Sequence, residues 1–512
     1  MGFAQMSGSR YLSIDVAGGG PTGLAFALAL CAYRVPARIR IFDPRWRTEG
    51  GRVEWRDLAH GNRRRRQIVT IQSNVWSALP PALRRALFDR HDYSEVWPLG
   101  SDSPGHHGPP RNLPIRDIED RLLDLARGTP GIELVPQRYD PTRTDLPELL
   151  AICEGAHSPT REHFIPQFGR PHADLYCVDG RPLEETILGM QVDTAATAGE
   201  AVLLTAAQNR YLLNTHRGGG FLNMRLARDE AAELPGLGRT PDEALPLDAV
   251  RASTLWPAIS EGLKLYGIDE RSLACVRAFR CSLVHRPRFV AELARETWGC
   301  LLGDAANTLH FWPGRGLNTA LKSALSLARC LARRRGDRLR AADLVEHEGV
   351  MQMLQAREVG NRSWQTMLMR DADGAPAPID VRIRRGLQGP CDRTALTHEL
   401  LARLRRMRMR LAHRAGALPD DRLLAARLAA LDDRTLKVLV ETGPWISAEV
   451  GGPEVDVAAL LPLPAERRAA GSPLPHQWER VRVRAISRTP ARAPAVQSNA
   501  LGNRSIRSHA SA

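Results

Sequence analysis

Lysine is almost missing from this chain of 512 residues. Only Lys264, Lys322 and Lys437 occur, so arginine carries nearly all the positive charge behind the net +14. Cysteine is sparse and unpatterned: Cys31, Cys153, Cys177, Cys275, Cys281, Cys300, Cys330 and Cys391 are scattered without a C-x-x-C. Buried reduced thiols are the reading that fits, rather than a disulfide framework or a zinc site. His106-His107 has no partner at ligand spacing in its Pro/Gly/Ser loop, so no metal is expected. The apolar stretch from Leu24 to Ala32 is far too short to cross a membrane, and Met1 to Arg10 holds no apolar segment of signal-peptide length. The expectation is a cytoplasmic protein without a membrane span. Half of the net charge lies between Glu466 and Ala512, where nine arginines meet two glutamates. That tail, rich in Ala, Ser, Pro and Arg, cannot bury a core and is expected to be disordered. No nucleic-acid motif accompanies the basic charge, so nucleic acid is not the expected partner.

The first forty-five residues organise the rest. Tyr11 to Ala17 reads as a short buried strand, Leu24 to Ala32 as a buried helix, and Ala37 to Phe42 as a second strand ending on Asp43. Between the first strand and the helix stands Gly18-Gly19-Gly20-Pro21-Thr22-Gly23. Strand, G-x-G-x-x-G, helix, strand and terminal acid are the parts of a dinucleotide-binding βαβ unit. Gly18 allows the tight turn, Gly20 a close approach to pyrophosphate, and Gly23 close packing of helix on strand. The helix N-terminus adds unpaired N–H groups for phosphates. Asp43 is placed to accept hydrogen bonds from a ribose. Asp15 is out of place in an otherwise apolar strand.

Further along, Arg63 to Arg66 lead into a strand, Gln67 to Gln72. The run is either a solvated loop or an attractor of nucleotide phosphates. Arg116 opens a helix with Ile118, Leu122 and Leu125 on one face and can reach back to a phosphate. Gly131 to Val135 and Leu149 to Cys153 are further strands. From about Arg181 the alternation of strand and helix stops. Glu184 to Asp193, Ala201 to Ala207, Arg210 to Thr215, Phe221 to Leu226 and Val276 to Val284 read as neighbouring strands of an antiparallel sheet. Thr297 to Leu302 returns to a buried strand, followed by Gly303-Asp304-Ala305-Ala306, then Pro313-Gly314-Arg315-Gly316-Leu317-Asn318 and a long amphipathic helix. The remainder is mainly helical, including Ala341 to Met369 and an arginine-rich helix, His398 to His413, whose leucine and methionine stripe is read as core packing rather than membrane binding.

Three motifs in this order resemble the single-component (group A) FAD-dependent monooxygenases of the para-hydroxybenzoate hydroxylase type: the glycine fingerprint with Asp43, Glu154-Gly155-Ala156-His157-Ser158-Pro159-Thr160-Arg161, and the Gly303-Asp304 stretch through Asn318. The resemblance covers about residues 10 to 335. It implies an α/β fold in which a Rossmann-like FAD-binding domain (10–175 and 291–335) is interrupted by an antiparallel β-sheet substrate domain (176–290), followed by a C-terminal helical region (336–464) and the basic tail (465–512). It further implies that Gly18, Gly20, Pro21, Thr22 and Gly23 hold the FAD pyrophosphate and that Asp43 and Arg45 face the adenosine ribose. Arg116 would touch the phosphate region, Gly303 and Asp304 the ribityl chain or pyrophosphate, and Pro313, Gly314, Gly316, Leu317 and Asn318 the flavin ring. The middle motif would serve both FAD and a transient NADH or NADPH. Glu154 stands where Asp is usual, and Asn307 where His is usual.

The implied reaction is hydroxylation of an aromatic or other electron-rich small molecule with NAD(P)H and O2, by way of a flavin hydroperoxide. No catalytic side chain is assigned. His310 is more simply structural, and Tyr211, Asn214 and His216 are weak candidates for polar contacts in the pocket. A reductase of the same fold or a non-catalytic interaction protein are the alternatives. A flavin-dependent halogenase shares the fold, but no Trp-x-Trp-x-Ile-Pro element occurs.

Overall fold

The computed structural model describes residues 11–62, 64–96, 108–178, 180–236, 244–310, 314–370, 376–415, 417–445 and 454–463. All fall within one compact unit running to Ser472. Pro313, Arg63, the His106-His107 pair and the basic tail lie outside the described residues.

The βαβ unit is formed by β1 (Leu12–Ala17), α1 (Pro21–Ala32) and β2 (Ala37–Phe42). β1 and β2 are parallel, with Leu12 opposite Ala37 and Ala17 opposite Phe42. There follow β3 (Ile68–Ile71), β4 (Arg111–Pro114), α2 (Ile115–Arg127), β5 (Ile132–Val135) and β6 (Leu149–Ile152). β3 and β4 pair antiparallel in a small three-stranded sheet completed by Ser94–Glu95. β5 and β6 flank β2 and β1 in the parallel sheet. β6 is buried at every position, as befits a parallel strand covered on both faces.

The register explains Asp15, which lies directly opposite Arg40 on β2. Arg40 Nε and Nη2 donate to its two oxygens at 2.8 and 2.9 Å, and Arg143 adds a contact at 3.3 Å. Burial raises the carboxyl's pKa while Arg40 and Arg143 pull it down. Such a pair adds little net stability, but it pins the register: a one-residue slip of β2 leaves a buried charge alone.

The chain then builds a second sheet from β7 (Glu184–Asp193), α3 (Ala198–Ala206), β8 (Tyr211–His216), β9 (Gly219–Arg225), β10 (Ala244–Leu245) and β11 (Cys275–Ser282). Its strands run antiparallel in the order β8-β9-β7-β11-β10. The stretch Ala201 to Ala207, expected as a strand, belongs to helix α3. The Thr197 side chain caps it by accepting from Glu200 N at 3.1 Å. A short apolar run does not separate strand from helix, and the Thr-x-x-Glu spacing was the signal that does. Leu188, Met190 and Val192 of β7 and Leu222 and Met224 of β9 enter one core with α3. Gly189, Phe221, Arg277 and Phe279 lie on the opposite face, where they border a cavity.

β12 (Val290–Ala294) and β13 (Thr297–Leu301) rejoin the first sheet, whose order becomes β12-β13-β6-β1-β2-β5. All neighbours are parallel except β12 with β13. A single turn of 3-10 helix, Gly303–Ala305, precedes α4 (Arg315–Ala332), which packs along α1.

Next come α5 (Ala341–Leu354), then α6 (Arg393–Ala415), α7 (Asp421–Ala429) and α8 (Asp433–Thr442). Within the stretch to Met369 expected to be mainly helical, α5 widens into a π-helix over Gln355–Ser363. The π-helix buries Arg357, Glu358 and Arg362 together. Leu400 and Leu404 of α6 belong to the same core as the antiparallel sheet, with Leu424, Leu428, Leu436 and Leu439. The C-terminal helices therefore complete the second core instead of standing apart from it. Among the described residues no helix is long and apolar enough to cross a membrane.

The segment 454–463 closes the structure. Val455, Val457, Leu460 and Leu461 are buried, and Arg329 Nη1 donates to Leu461 O at 3.0 Å. Glu454 accepts from Arg357 and Arg362 at 2.7 and 2.9 Å and from Lys322 at 2.7 Å. Burial alone would raise this carboxyl's pKa; Lys322, Arg362 and Arg357 overcome it and hold the group far below the usual carboxylate range. Its contribution is thus present above the unfolded carboxylate pKa and is lost only as pH falls through the depressed folded value. A chain ending at Leu463 should keep the wild-type melting temperature. A chain ending at residue 453 should melt at least ~5 °C lower, because it strands buried cations and removes buried leucines. Equal melting of the two chains in differential scanning calorimetry would contradict this role.

Candidate functional site

The three sequence motifs meet where β1, β6 and β13 end, and glycine lets them meet. At Gly18, with φ +102°, an added Cβ would lie 2.6 Å from the Cys153 carbonyl oxygen that follows β6. At Gly23 it would lie 2.0 Å from Gly18 O, and at Gly303 2.7 Å from Thr22 Oγ1. Gly314, the αL N-cap of α4, would meet Thr70 O of β3 at 2.0 Å. Gly19 is also filled, since the buried Trp46 ring packs 2.2 Å from its Cβ position. These five glycines are required by contacts of chain with chain.

Gly20 and Gly316 are different. A Cβ at Gly20 would meet only Arg45 Nη2, at 3.4 Å, and one at Gly316 only Asp304 Oδ1, at 3.3 Å. Gly20 is the N-cap of α1, Gly316 stands in the first turn of α4, and neither helix has a side-chain cap. Two helix N-termini thus present backbone with room before it, guarded by Arg45 on one side and Asp304 on the other. That arrangement fits the diphosphate and polyol of a dinucleotide.

Asp43 does not offer a free carboxylate. It is buried, accepts from Gly19 N at 2.9 Å, and holds Arg45 through Nε at 3.0 Å and Nη2 at 2.7 Å. Arg45 in turn reaches Glu119 at 3.2 Å. The group facing Gly20 is therefore the Arg45 guanidinium, with Asp43 behind it.

Asp304 is solvent-accessible but sits in a recess. Desolvation there raises its carboxyl's pKa, and Arg65 opposes the rise. The arginine run is thereby divided. Arg64 is committed to the buried Glu119 and to Asp120, Arg65 and Arg66 form no ion pair among the described residues, and all three line a cavity of about 730 Å³. Arg116 lines the same cavity with Asp117, with which it pairs at 3.1 Å.

The middle motif acts as a brace. Glu154 Oε2 accepts from Ser158 Oγ at 2.7 Å and from Thr160 N at 3.0 Å. Arg161 donates to Ala156 O at 2.8 Å and Ala305 O at 3.2 Å, tying the motif to the Gly303-Asp304 turn. Asn318 uses its amide on β3 and its own cap: it accepts from Gln72 N at 2.9 Å and donates to Thr70 O and Gly314 O at 2.8 and 2.7 Å. Leu317 beside it is half-buried. Asn307 is buried and neither side-chain polar atom has a partner among the described residues.

Two groups escaped the sequence reading. Arg286 is buried, donates through Nε to Ala306 O at 2.8 Å, and forms no ion pair among the described residues. Burial, together with nearby Arg161, lowers its pKa to about 10. Phe221 and Phe279, with Arg277, form the sheet wall of the cavity; the alternation along β11 was the available signal. Tyr211 instead faces the second core, donating to Ala258 O. Asn214 donates to Ile68 O and His216 contacts Ser94, so these three serve the scaffold. Among the described residues no cluster of His, Cys, Asp and Glu could hold a metal ion.

His310 is fully enclosed beside Glu185, Arg225 and the Trp445 ring. Burial lowers its pKa to about 4, with Glu185 pulling upward and Arg225 downward. It is neutral at neutral pH and out of range for proton transfer near it.

No protein-family model matches the chain, and no curated protein matches it. Solved structures do. It is similar to p-nitrophenol 4-monooxygenase PnpA from Pseudomonas putida DLL-E4, at 13% identity over 78% of this chain and 96% of that one, with a TM-score of 0.47. It is similar to the flavin-dependent halogenase CmlS at 16% identity, over 82% of this chain and 76% of that one, with a TM-score of 0.49. The Diels-Alderase PyrE3 matches at 17% identity over 82% and 80%, with a TM-score of 0.44.

Two outcomes follow from the geometry. Gly23→Ala and Gly303→Ala should each cost about 1–3 kcal/mol of stability by overpacking, whereas Gly20→Val and Gly316→Val should stay within roughly 1 kcal/mol of wild type. Chemical denaturation distinguishes the sets, and equal losses in both would show that the groove is closed by the chain. Because the folded pKa of His310 lies below its unfolded value, its contribution is present above about pH 6.5 and is lost as pH falls toward 4. His310→Gln should reduce the dependence of stability on pH in that window by about 1.4 kcal/mol per pH unit. An unchanged slope in denaturation at several pH values would place the titration elsewhere.

Proposed function

We propose that this protein is an FAD-dependent monooxygenase that uses NADH or NADPH and O2 to hydroxylate an aromatic or other electron-rich small molecule. The observation that carries the reading is the contrast between glycines. Gly18, Gly23, Gly303 and Gly314 are filled by chain contacts, while at Gly20 and Gly316, at two uncapped helix N-termini, a Cβ would meet only the tip of one side chain, Arg45 or Asp304.

When bound, FAD would supply the redox chemistry, in which NAD(P)H, a proton, O2 and the substrate give NAD(P)+, water and the hydroxylated product. The residues of the chain hold and orient. The N-terminus of α1 and the Arg45 guanidinium would meet the diphosphate, with Pro21 and Thr22 setting the first turn. Asp304 would accept hydrogen bonds from the ribityl chain. The N–H groups at the start of α4, steadied by Asn318, would face the negative charge that reduction leaves on the ring. Arg286 has no acidic partner among the described residues and lies behind the Gly303-Asp304 turn, tied to Arg161 through adjacent carbonyls; it suits the phosphates of a transient nicotinamide nucleotide. The antiparallel sheet walls the substrate cavity and keeps water off the reacting centre.

The test uses protein reconstituted with FAD. Mixed without oxygen with NADH and with NADPH in turn, one of them should bleach the flavin absorption band, and O2 should restore it. Arg286→Gln should raise the nucleotide concentration needed for half-maximal bleaching at least ~5-fold while leaving FAD content unchanged. A band that neither nucleotide bleaches would refute NAD(P)H dependence.

A further inference from the structure

The cavity of about 730 Å³ lies between the arginine loop and the open face of the antiparallel sheet. Resting on the reading of this cavity as the substrate site, we propose that it takes a polycyclic aromatic acid, bound face-on against the sheet with its carboxylate on Arg277.

The wall of the cavity is shaped for a flat ring system. Gly189 of β7 lies opposite Asn223 of β9 and Arg277 of β11, with Phe221 and Phe279 on the diagonals. A Cβ on Gly189 would lie 2.8 Å from the Phe221 ring and 3.2 Å from the Phe279 ring. The two rings lean into the space a side chain would fill and leave an apolar platform at that point, suited to stacking. The volume falls in the range of roughly 300–1,000 Å³ that holds drug-sized ligands, so a single benzene ring would leave most of it unfilled.

The charge is equally selective. Of the cations around the cavity, Arg64 is neutralised by Glu119 and Asp120, and Arg116 by Asp117. The acid Asp57 is occupied by His60. Arg65, Arg66 and Arg277 form no ion pair among the described residues. Arg277 is the most telling, because it projects from the interior of a strand on the same face as the two phenyl rings and is only half-buried there, so its guanidinium stays open to a ligand. A planar carboxylate satisfies its fork of donors, and Arg66 across the opening adds attraction for the same sign.

The test is equilibrium binding, followed by ligand fluorescence, to the full chain loaded with FAD. The probes are hydroxynaphthoate, its uncharged counterpart naphthol, and the single-ring acid salicylate. Hydroxynaphthoate should bind at least about tenfold more tightly than either of the others. Arg277→Gln should bring hydroxynaphthoate to within about threefold of naphthol without changing naphthol binding, and Arg277→Lys should retain part of the advantage. Retention of bound flavin by both variants checks that they are folded. Equal binding of hydroxynaphthoate and naphthol to the wild type, or an advantage that survives both Arg277→Gln and Arg66→Gln, would overturn the proposal. Salicylate binding as tightly as hydroxynaphthoate would overturn the polycyclic part of it. Binding is read without turnover, so a protein that binds the acid but never oxidises NAD(P)H refutes the proposed reaction and not this ligand class.

Discussion

The structure depends on backbone approaching backbone where strands end. β1, β6 and β13 finish side by side, and the turns after them touch through Gly18 against Cys153 O, Gly23 against Gly18 O and Gly303 against Thr22. Gly314 makes the corresponding contact with Thr70, which brings the start of α4 onto β3. None of these approaches tolerates a Cβ without displacement of main chain or of a neighbouring side chain. They draw together motifs that lie far apart in the chain, and they aim the N-termini of α1 and α4 at one groove. The electrostatic character of that groove is thus set by main-chain dipoles held in place.

A second constraint runs from that groove toward the cavity. Asp43 holds Arg45, Arg45 and Arg64 share the buried Glu119, and both guanidiniums lie over the Trp55 ring, at 4.9 and 4.5 Å from its centroid. Buried ion pairs of this kind repay little net stability, because desolvation offsets the attraction. Their effect is positional: they fix which arginines are occupied and which are left without an acidic partner among the described residues. The clusters of Glu185 with Arg225 and of Glu454 with Lys322, Arg357 and Arg362 anchor the far side of the site in the same manner. The π-helix joins these anchors, since Gln355 holds the backbone of Arg286 and Ser363 that of His310.

Much of this was legible in the sequence where local pattern and tertiary role coincide. The βαβ unit was, because glycine spacing, strand burial and the terminal acid all speak for one geometry. The return to the first sheet at Thr297 was legible from an apolar strand followed by Gly303-Asp304. Other features required the third dimension. Asp15 makes sense only in register with Arg40. Whether a glycine serves packing or a ligand depends on what faces it, so Gly20 and Gly23 look alike in sequence. Asp43 read as a ribose acceptor because Arg45, two residues on, does not announce that it will fold back. Helix α3 was mistaken for a strand because a short apolar run suits either, and the cavity wall of Phe221, Arg277 and Phe279 is assembled from strands whose pairing no local pattern specifies.

The central claim is that the groove between Gly20 and Gly316 accepts a flavin dinucleotide. The most direct measurement is a titration of the purified full chain with FAD, with FMN and riboflavin in parallel, following flavin fluorescence and visible absorption. The account predicts saturable binding of FAD at one equivalent per chain, with much weaker binding of FMN and riboflavin, which lack the adenosine diphosphate portion that α1 and Arg45 are placed to hold. Absence of saturable FAD binding, or equal affinity for FAD and riboflavin, would contradict it.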